Sequence, residues 1–476
     1  METREYDVVV IGGGPAGENA AQYAVEGASI DGRPMTAAII EHELLGGECS
    51  YWACMPSKAL LRPIAVADIT ADLQGLSTAQ VEPRALLERR DFWVSHYDDS
   101  GQVSWAEGAG LAVLRGLGRL VGERSVRVSS SSGDDLLVTA RQAVVIATGS
   151  SAHVPEAYAA ALPWDSRDAT GVVEVPDRLV VVGGGVVACE AAIWMAALGS
   201  AVTLVVRDTR LLGRTEPFAG EAVLAGLRDR GITVHLGTSV DSVHRDSPAA
   251  TGTGRIHGGA VTLATSAGEL VADEVLLAIG RSPRLGDLGL DAVGLTADDV
   301  TAGRLPEWLH AVGDASGGPP LTHWGKHQAR VVGARIAAAA AGEVAWEPGR
   351  EAPVPQVVFS DPEVASVGLT EAEARDAGSS VVTSRVPTSA AAGTGLLRDH
   401  VVGEAQLVVD ADSRVLLGAT FVGPEAGELV HAATVAITGG VPVHVLRHAV
   451  ASYPTAAELW LRLLEELPRE FRRPPG

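Results

Sequence analysis

The run YDVVVIGGGPAGENAAQYA at residues 6–24 decides the fold of this 476-residue chain. Its first six residues, Tyr6–Ile11, predict a short buried strand, and the remainder favours a helix. Gly12, Gly14 and Gly17 match G-x-G-x-x-G at the junction. In such a turn the first glycine permits the tight bend, the second lets a pyrophosphate approach the backbone, and the third lets helix and strand pack closely. The run predicts a dinucleotide-binding unit rather than a merely structural glycine-rich turn.

A second glycine-rich unit begins about 170 residues later. The run RLVVVGGGVVACEAAIWMAALG starts at Arg178 and places Gly183, Gly185 and Ala188 in the pattern G-x-G-x-x-A. In the first unit the next strand-like run, AAII, ends in Glu41, an acid placed to accept hydrogen bonds from an adenosine ribose. Two such units predict two bound dinucleotides.

The nucleotide of the second unit is predicted from the residues after its second strand. The run AVTLVV leads into Arg207, and Arg210 and Arg214 follow where a ribose-binding acid is expected. Basic residues suit a 2′-phosphate, which favours NADPH over NADH, although NADH is possible. The alternative is that these arginines are merely solvated, with Asp208 diluting their charge.

The run GGECSYWACMPSKALL carries a candidate redox pair. Cys49 and Cys54, with four residues between them, can close a small ring at the start of a helix. The helix dipole and the nearby Lys58 ammonium favour thiolate over thiol there. A metal pair or two buried core cysteines are the competing interpretations. Cys189, within the second glycine-rich unit, is interpreted as a packing residue.

Composition limits the other possibilities. The length predicts two to four domains, and the net charge of -22 disfavours nucleic acid and anionic membranes as partners. Three cysteines form no secreted disulfide framework, and neither a long apolar run nor a secretory opening is present, so we expect a cytoplasmic protein. Only two of the 37 cationic residues are lysines. Lys58 beside the cysteines suggests that a compact ammonium is needed there, whereas we attribute the position of Lys326 to chance.

These residues resemble the class I flavoprotein disulfide reductases, the family of dihydrolipoamide dehydrogenase, glutathione reductase and mercuric reductase. The resemblance covers essentially the whole chain. The shared segments, in the family's order, are GGGPAG with Glu41, GG-x-C-x-x-x-x-C-x-P-S-K, ATGS at Ala147–Ser150, GGGVVACE, AIGRSP at Ala278–Pro283, AVGDASGGPPLTH at Ala311–His323, VVFSDPEVASVGLTEAEA at Val357–Ala374, and a C-terminal PTAAE.

The resemblance implies an α/β fold with two Rossmann-like dinucleotide-binding domains and a C-terminal α+β dimerisation domain. It places an FAD-binding domain over residues 1–155, completed by 283–350, an NAD(P)-binding domain over 156–282, and a dimerisation domain over 351–476. The cofactors would be FAD and NADPH, with no metal. We expect a homodimer in which each active site is completed by the partner chain.

Residue roles follow from the same resemblance. Cys54 is similar to the charge-transfer thiol against the flavin, and Cys49 to the interchange thiol that faces the substrate. Lys58 and Glu190 match the ion pair beside the flavin N5. The other predicted cofactor contacts are Gly47, Gly118, Thr148, Gly149, Gly280, Asp314 and Thr322.

The chain departs from the family at three places. Tyr453 stands where a histidine is usual, with Glu458 retained; an unperturbed tyrosine is ionised only about one part in a thousand at pH 7, so it is a poor base but a serviceable hydrogen-bond donor. Tyr51 and Trp52 either narrow the approach to Cys49, offer a stacking surface, or serve as packing residues. No cysteine follows Cys189, which disfavours mercuric reductase and large thioredoxin reductase activities.

The sequence therefore predicts an enzyme that passes hydride from NAD(P)H through flavin to the Cys49–Cys54 disulfide and on to a small disulfide substrate. The alternative is direct reduction of a quinone-like acceptor by the flavin. A third hypothesis is a dihydrolipoamide dehydrogenase subunit of an acyl-transfer assembly, which Tyr453 and Arg207 disfavour.

Overall fold

The computed structural model describes residues 2–130, 133–345 and 352–474. The chain divides into two compact units, each built from separate stretches of sequence. The first unit comprises Met1–Pro56, Arg90–His153 and Gly280–Gly349. The second comprises Ser57–Arg89, Val154–Ile279 and Arg350–Gly476.

The first unit is built on a seven-stranded sheet around the predicted N-terminal strand. That strand pairs in parallel with neighbours on both sides, and its residues 7–11 are buried, as expected of a central parallel strand. The strand order is Leu111–Arg115, Ala37–Glu41, Glu2–Ile11, Leu136–Ile146, Ser125–Ser129 and Leu117–Gly122, with Leu309–Ala311 also paired to Leu136–Ile146. Two small pairs, Ser29–Ile30 with Arg33–Pro34 and Ser150–Ala152 with Arg281–Pro283, complete the strands of this unit.

This topology corrects one expectation from the sequence. The runs RSVRVSS and DLLVTARQAVVIATGS predict a small sheet that ends in a tight turn at Gly149, but the structure places both runs in the seven-stranded sheet. The second of these strands is long enough to pair antiparallel with Ser125–Ser129 and parallel with Glu2–Ile11. The tight turn after it is confirmed, because Gly149 has a φ of +70°.

The helices of the first unit include the one that the glycine-rich motif predicts. It begins with Pro15 at its first position, where the missing N–H removes no helical hydrogen bond. The helices and 3-10 turns of this unit are Pro15–Val25, Gly47–Tyr51, Ser95–Tyr97, Ser100–Gly108, Leu290–Val293, Ala297–Thr301, Gly313–Ser316 and Thr322–Ala341. Two further helices, Cys54–Ala71 and Pro83–Trp93, contain residues of both units.

The second unit contains the other predicted nucleotide-binding sheet and the C-terminal mixed region. A four-stranded parallel sheet has the order Thr233–His235, Ala201–Val205, Arg178–Val182 and Glu274–Leu277. A three-stranded antiparallel sheet is formed by Val240–Arg245, Val261–Thr265 and Gly268–Ala272. A five-stranded antiparallel sheet has the order Gln356–Val358, Val364–Gly368, Leu416–Val422, Glu404–Asp410 and Val381–Pro387.

Apolar helices cover these sheets and bury the core of the second unit. Trp164 and Trp194 are its largest fully buried side chains, and each indole N–H donates to a backbone carbonyl. The helices and 3-10 turns are Glu156–Ala159, Ser166–Thr170, Val186–Ala197, Pro217–Asp229, Glu371–Asp376, Thr388–Ala390, Ala392–Gly395, Ala426–Gly439, Val443–Leu446, Glu458–Glu466 and Arg469–Arg472. The predicted α/β class with a C-terminal α+β region is confirmed.

Across the described residues, the structure contains no helix with the length and apolar character needed to cross a membrane.

Candidate active site

The glycine-rich turn of the first unit is packed too closely to accept side chains. Gly12 has a φ of +107°, and a Cβ there would lie 2.3 Å from the carbonyl oxygen of Ala147. A Cβ on Gly17 would lie 1.9 Å from the carbonyl oxygen of Gly12. Gly47 has a φ of +57°, and its Cβ would lie 2.7 Å from Cα of Gly14. These glycines therefore hold two backbone segments against each other at the start of the helix.

This turn fits the adenosine diphosphate half of FAD. The helix begins at an extended Gly14 without a side-chain cap, so its first N–H groups can donate to a pyrophosphate. Glu41 is buried and accepts hydrogen bonds of 2.7 Å from the N–H groups of Gly13 and Glu43. Burial raises the pKa of this carboxyl, but hydrogen bonds, led by that from His42, outweigh burial and lower the pKa below its usual value. Glu41 is therefore ionised and suited to accept from ribose hydroxyls.

Three other predicted flavin contacts lie in a loop and in the 3-10 turn Gly313–Ser316 of the same unit. Thr148 donates from Oγ1 to the carbonyl oxygen of Arg284 at 2.7 Å, and Gly149 follows in the left-handed turn. Asp314 accepts a short hydrogen bond from the hydroxyl of Ser150. Their cofactor contacts remain predictions.

Gly118 and Gly280 have local structural reasons to be glycine. A Cβ on Gly118 would lie 3.0 Å from the side chain of Ile11 and 3.1 Å from that of Ile40, so this position packs against the sheet core. Gly280 has a φ of +127° directly before the strand Arg281–Pro283. Their predicted roles in cofactor binding remain open to test.

The structure adds a polar network that the sequence prediction missed. Arg281 donates from Nε to the Ser150 hydroxyl at 2.7 Å, and Arg284 donates from Nη2 to Oε1 of Glu48 at 3.0 Å. Glu48 immediately precedes Cys49. The run GRSPR, which places two arginines after an apolar segment, was the available signal, but the sequence did not identify their partners.

The cysteine pair lies next to the start of a long helix in the first unit. Cys54 begins the helix Cys54–Ala71, and its Sγ lies 3.3 Å from Oγ1 of Thr322. Cys49 lies in the short helix Gly47–Tyr51, and both cysteines are partly exposed and reduced. The structure thus brings Cys49, Cys54 and Thr322 together.

The pKa of the Cys49 thiol is raised, whereas the sequence predicts that thiolate is favoured at this position. A hydrogen bond to Cys54 and then burial raise the pKa of the Cys49 thiol, whereas Thr322 and Lys326 act to lower it. Ionisation of one thiol of the pair therefore disfavours ionisation of the other. Burial raises the pKa of Cys189 to about 12 in the second unit, consistent with its predicted packing role.

The two large rings between the cysteines have separate environments. Tyr51 is 3% exposed, and burial raises the pKa of its hydroxyl to about 12, so it is a packing residue. Trp52 is half-buried and stacks on Tyr97 with ring centroids 4.5 Å apart. Trp52 is therefore the ring that can present an aromatic surface beside the pair.

The second glycine-rich turn fits another dinucleotide. Gly183 has a φ of +135°, and a Cβ there would lie 2.3 Å from the carbonyl oxygen of Ala278. Gly185 is extended and begins the helix Val186–Ala197 without a side-chain cap. Ala188 is fully buried on that helix. The turn therefore offers uncapped N–H groups to a second pyrophosphate.

The arginines after the second strand lie on the surface of the second unit. The side chain of Arg207 is 87% exposed and lies 3.8 Å from Asp208, too far for a hydrogen bond. Arg210 donates to the carbonyl oxygen of Gly213, and Arg214 is exposed. Arg207 and Arg214 can therefore reorient towards an anionic ligand.

Lys58 and Glu190 form a close ion pair in the second unit. Lys58 Nζ lies 2.8 Å from Oε2 of Glu190 and 4.6 Å from the ring centroid of Phe359. The other carboxylate oxygen, Oε1, accepts from the N–H of Phe359 at 3.1 Å. Glu190 is buried, so these contacts fix the position of the ammonium.

Tyr453 and Glu458 lie in different environments. The Tyr453 residue is 77% exposed, whereas Glu458 is buried and accepts a hydrogen bond from the N–H of Gly393 at 3.3 Å. Within residues 352–474, no hydrogen bond joins Tyr453 to Glu458. Glu458 therefore stabilises the turn at Gly393 in this protomer, and Tyr453 is presented at the surface.

Comparison with known proteins covers nearly the whole chain. The family model described as pyridine nucleotide-disulphide oxidoreductase matches residues 6–329, and that of its dimerisation domain matches 354–463. Dihydrolipoyl dehydrogenase of Haloferax volcanii is 32% identical over 476 residues, 96% of this chain and 95% of that protein. Mercuric reductase of Shigella flexneri is 32% identical over 472 residues, 95% of this chain and 79% of that protein.

Solved structures share the fold at lower identity. LpdA from Mycobacterium tuberculosis has a TM-score of 0.82 at 22% identity, covering 98% of this chain and 99% of that one. The HOCl-induced flavoprotein disulfide reductase RclA from Escherichia coli has a TM-score of 0.79 at 23% identity, covering 97% and 100%. With two family models matched in succession and both dinucleotide cradles formed, the chain belongs to the pyridine nucleotide-disulphide oxidoreductases, FAD-dependent enzymes that use NAD(P)H as electron donor.

Proposed function

We propose that this enzyme passes two electrons from NADPH through FAD to the Cys49–Cys54 disulfide and on to a small disulfide substrate. The observation that carries the proposal is the packing of Cys54 Sγ 3.3 Å from Thr322 Oγ1, in the unit that also holds the first dinucleotide cradle. Cys49 is hydrogen-bonded to Cys54 and is partly exposed. The Cys54 sulfur is thus fixed by its contact with Thr322, and we assign the attack on the substrate to Cys49.

The residues have distinct roles in this proposal. FAD bound at the first cradle supplies two-electron transfer between nicotinamide and sulfur. The ion pair of Lys58 with Glu190 holds an ammonium at a defined position, as the family resemblance implies beside the flavin. Gly118, Thr148, Gly149, Gly280 and Asp314 are proposed to line the cofactors.

The dithiol half of the reaction balances without another reductant. Cys49 loses its proton and attacks one sulfur of the substrate, forming a mixed disulfide as the first substrate thiol leaves. Cys54 then attacks Cys49, which restores the Cys49–Cys54 bridge and releases the second thiol. Exposed Tyr453 is proposed to donate a hydrogen bond to the leaving sulfur from the partner chain of a homodimer.

The test is an anaerobic reduction followed by cysteine mapping. Oxidised holoenzyme is treated with NADPH, alkylated, digested, and analysed by mass spectrometry against a sample without NADPH. We expect both Cys49 and Cys54 to become alkylated only after NADPH treatment, while buried Cys189 stays unmodified in both samples. Equal labelling of the pair with and without NADPH contradicts the proposal.

The acceptor is tested with a panel containing small disulfides, lipoamide and a quinone. Lipoamide belongs in the panel because several relatives are named dihydrolipoyl dehydrogenase. The stack of Trp52 on Tyr97 favours the second candidate, a flat quinone-like acceptor, because aromatic rings bind well on such a surface. Robust turnover of the quinone alone would favour that candidate.

Nicotinamide selection is expected to depend on Arg207. Replacing Arg207 by methionine removes a charge-assisted hydrogen bond to the 2′-phosphate, worth about 1.5–3 kcal/mol, so kcat/KM for NADPH should fall at least tenfold. The value for NADH should stay within about twofold. Arg228→Met, an exposed arginine of the same unit, is the matched control. An equal loss with both nucleotides contradicts 2′-phosphate recognition by Arg207.

A further inference from the structure

The second of the chain's two lysines, Lys326, lies within electrostatic range of the dithiol. Thr322 begins the helix Thr322–Ala341, and its hydroxyl touches the sulfur of Cys54. Lys326 follows four residues later, so the two side chains share one face of the helix with Cβ atoms about 5–6 Å apart. This geometry directs a cation towards the region of the redox pair.

Close packing fixes that helix at the level of Lys326. A Cβ on Gly325 would lie 3.1 Å from Cα of Gly313 and 3.5 Å from Cβ of Ala16. The helix therefore lies almost in backbone contact with Gly313 and packs against the Ala16 side chain at the start of the first dinucleotide-binding helix. Small movements of the helix are restricted, and the partly buried Lys326 is held near the centre of the first unit.

The two lysines are not equivalent. The Lys58 ammonium is engaged by the buried carboxylate of Glu190 at 2.8 Å. Among the described residues, Lys326 has no carboxylate within 4 Å of its ammonium. Its charge acts to lower the pKa of the Cys49 thiol and of the Glu18 carboxyl, against larger effects that raise both, so it lies within electrostatic range of each group. The positive charge of Lys326 can therefore stabilise negative charge on the two cysteine sulfurs.

We propose that Lys326 is a positioning residue that favours the thiolate form of the reduced Cys49–Cys54 pair. The inference rests on the proposed dithiol function. Because the reduced pair carries its negative charge in a partly buried site, a nearby cation stabilises the anion more than it would in water. Lys326 touches neither sulfur in a hydrogen bond and acts through its charge alone.

Other charged groups face the same region and shape the pH dependence. Glu18 is buried and accepts from the amide of Gln102 at 3.0 Å; burial raises the pKa of its carboxyl to about 7. Glu41 is ionised on the adjacent strand, and Glu48 beside Cys49 is paired with Arg284. Above about pH 7 the negative charge of Glu18 opposes the positive charge of Lys326. Removing the Glu18 charge should therefore favour the thiolate.

The test measures alkylation of the reduced holoenzyme against pH. Enzyme reduced with NADPH is pulsed with iodoacetamide between pH 5 and 9, and modification of Cys49 and Cys54 is quantified by mass spectrometry; thiolate alone reacts appreciably. In Lys326→Met the apparent pKa should rise by about one unit, so the rate at neutral pH falls about tenfold. Lys326→Arg should stay within about twofold of the wild type.

Controls separate a local charge effect from a general one. Arg335→Met removes an exposed cation nine residues along the same helix, about 13 Å away, and should leave the profile unchanged. Glu18→Gln keeps an acceptor for Gln102 and should raise the alkylation rate near pH 8 about twofold or more. Flavin content and the thermal midpoint are recorded for each variant. If Lys326→Met does not fold, the alkylation rates of Glu18→Gln and Lys326→Arg test the effect of charge on the cysteine pair.

Two outcomes overturn the inference. One is a pH profile of alkylation for Lys326→Met that superimposes on that of the wild type, or an equal shift of the profile in Arg335→Met. The other is a Glu18→Gln rate equal to or below that of the wild type. Failure of NADPH to expose the cysteine pair in the wild type would instead refute the proposed function. The two failures are therefore distinguishable.

Discussion

Replacing Cys49 by serine is expected to lower NADPH-dependent disulfide reduction by at least about a thousandfold. A serine hydroxyl is neither ionised at neutral pH nor able to form the mixed disulfide, so the nucleophile of the proposed mechanism is lost. Cys54 would remain beside Thr322 but could close no bridge. The measurement is steady-state turnover of the best small disulfide, with NADPH saturating.

The control for this experiment is Cys189→Ala. Cys189 is fully buried in the core of the second unit, and burial raises the pKa of its thiol to about 12, so it should not contribute to turnover. We expect this variant to keep disulfide reduction within about threefold, with a stability loss of about 1 kcal/mol from the small cavity. Undiminished disulfide turnover in Cys49→Ser would show that the pair is not the route to the substrate.

The same Cys49→Ser protein separates the two acceptor classes. A quinone that accepts electrons directly from the flavin does not need the sulfur pair, so its reduction should survive the substitution. Loss of disulfide turnover with retention of quinone turnover therefore identifies two routes in one enzyme. Loss of both would indicate that the serine disturbs the cofactor site, which bound-flavin absorbance can check directly.

Gly17→Ala is expected to yield protein almost without FAD. The added Cβ would lie 1.9 Å from the carbonyl oxygen of Gly12 and 3.3 Å from Cβ of Ala147, and both neighbours belong to the cradle. The helix must therefore move away from the strand, and its N-terminal N–H groups leave the position needed for the pyrophosphate. We expect a loss of at least about 2 kcal/mol of stability, as for other overpacked sites.

The measurement is the ratio of flavin absorbance to protein, together with the thermal midpoint. Gly101→Ala is the matched control because Gly101 lies on a helix of the same unit, has no positive φ, and leaves open space of at least 4 Å around an added Cβ. It should keep full flavin content and gain up to about 1 kcal/mol, since alanine favours helices over glycine. A Gly17→Ala protein with wild-type flavin content would contradict the cradle described above.

Local patterns in the sequence identified most of the fold. Two runs of strand, glycine-rich turn and helix predicted two dinucleotide cradles, because close approach of the backbone excludes a Cβ at Gly12, Gly17 and Gly183. The spacing of Cys49 and Cys54 likewise predicted their proximity, since both lie in one short segment. The sequence could not show that the run ending at Ile146 joins the main sheet, because strand partners are set by distant segments.

Tertiary structure decided the environment of each candidate group. Tyr51 and Trp52 are adjacent in sequence, yet one is buried and the other stacks on Tyr97, because neighbouring side chains point in different directions. The separation of Glu458 from Tyr453 and the approach of Lys326 to the redox pair depend on long-range packing. The sequence by itself thus determined which chemical groups are present and which backbone turns require glycine. Only the folded chain decided which charges act on one another, because electrostatic interactions depend on distance and burial rather than on position along the chain.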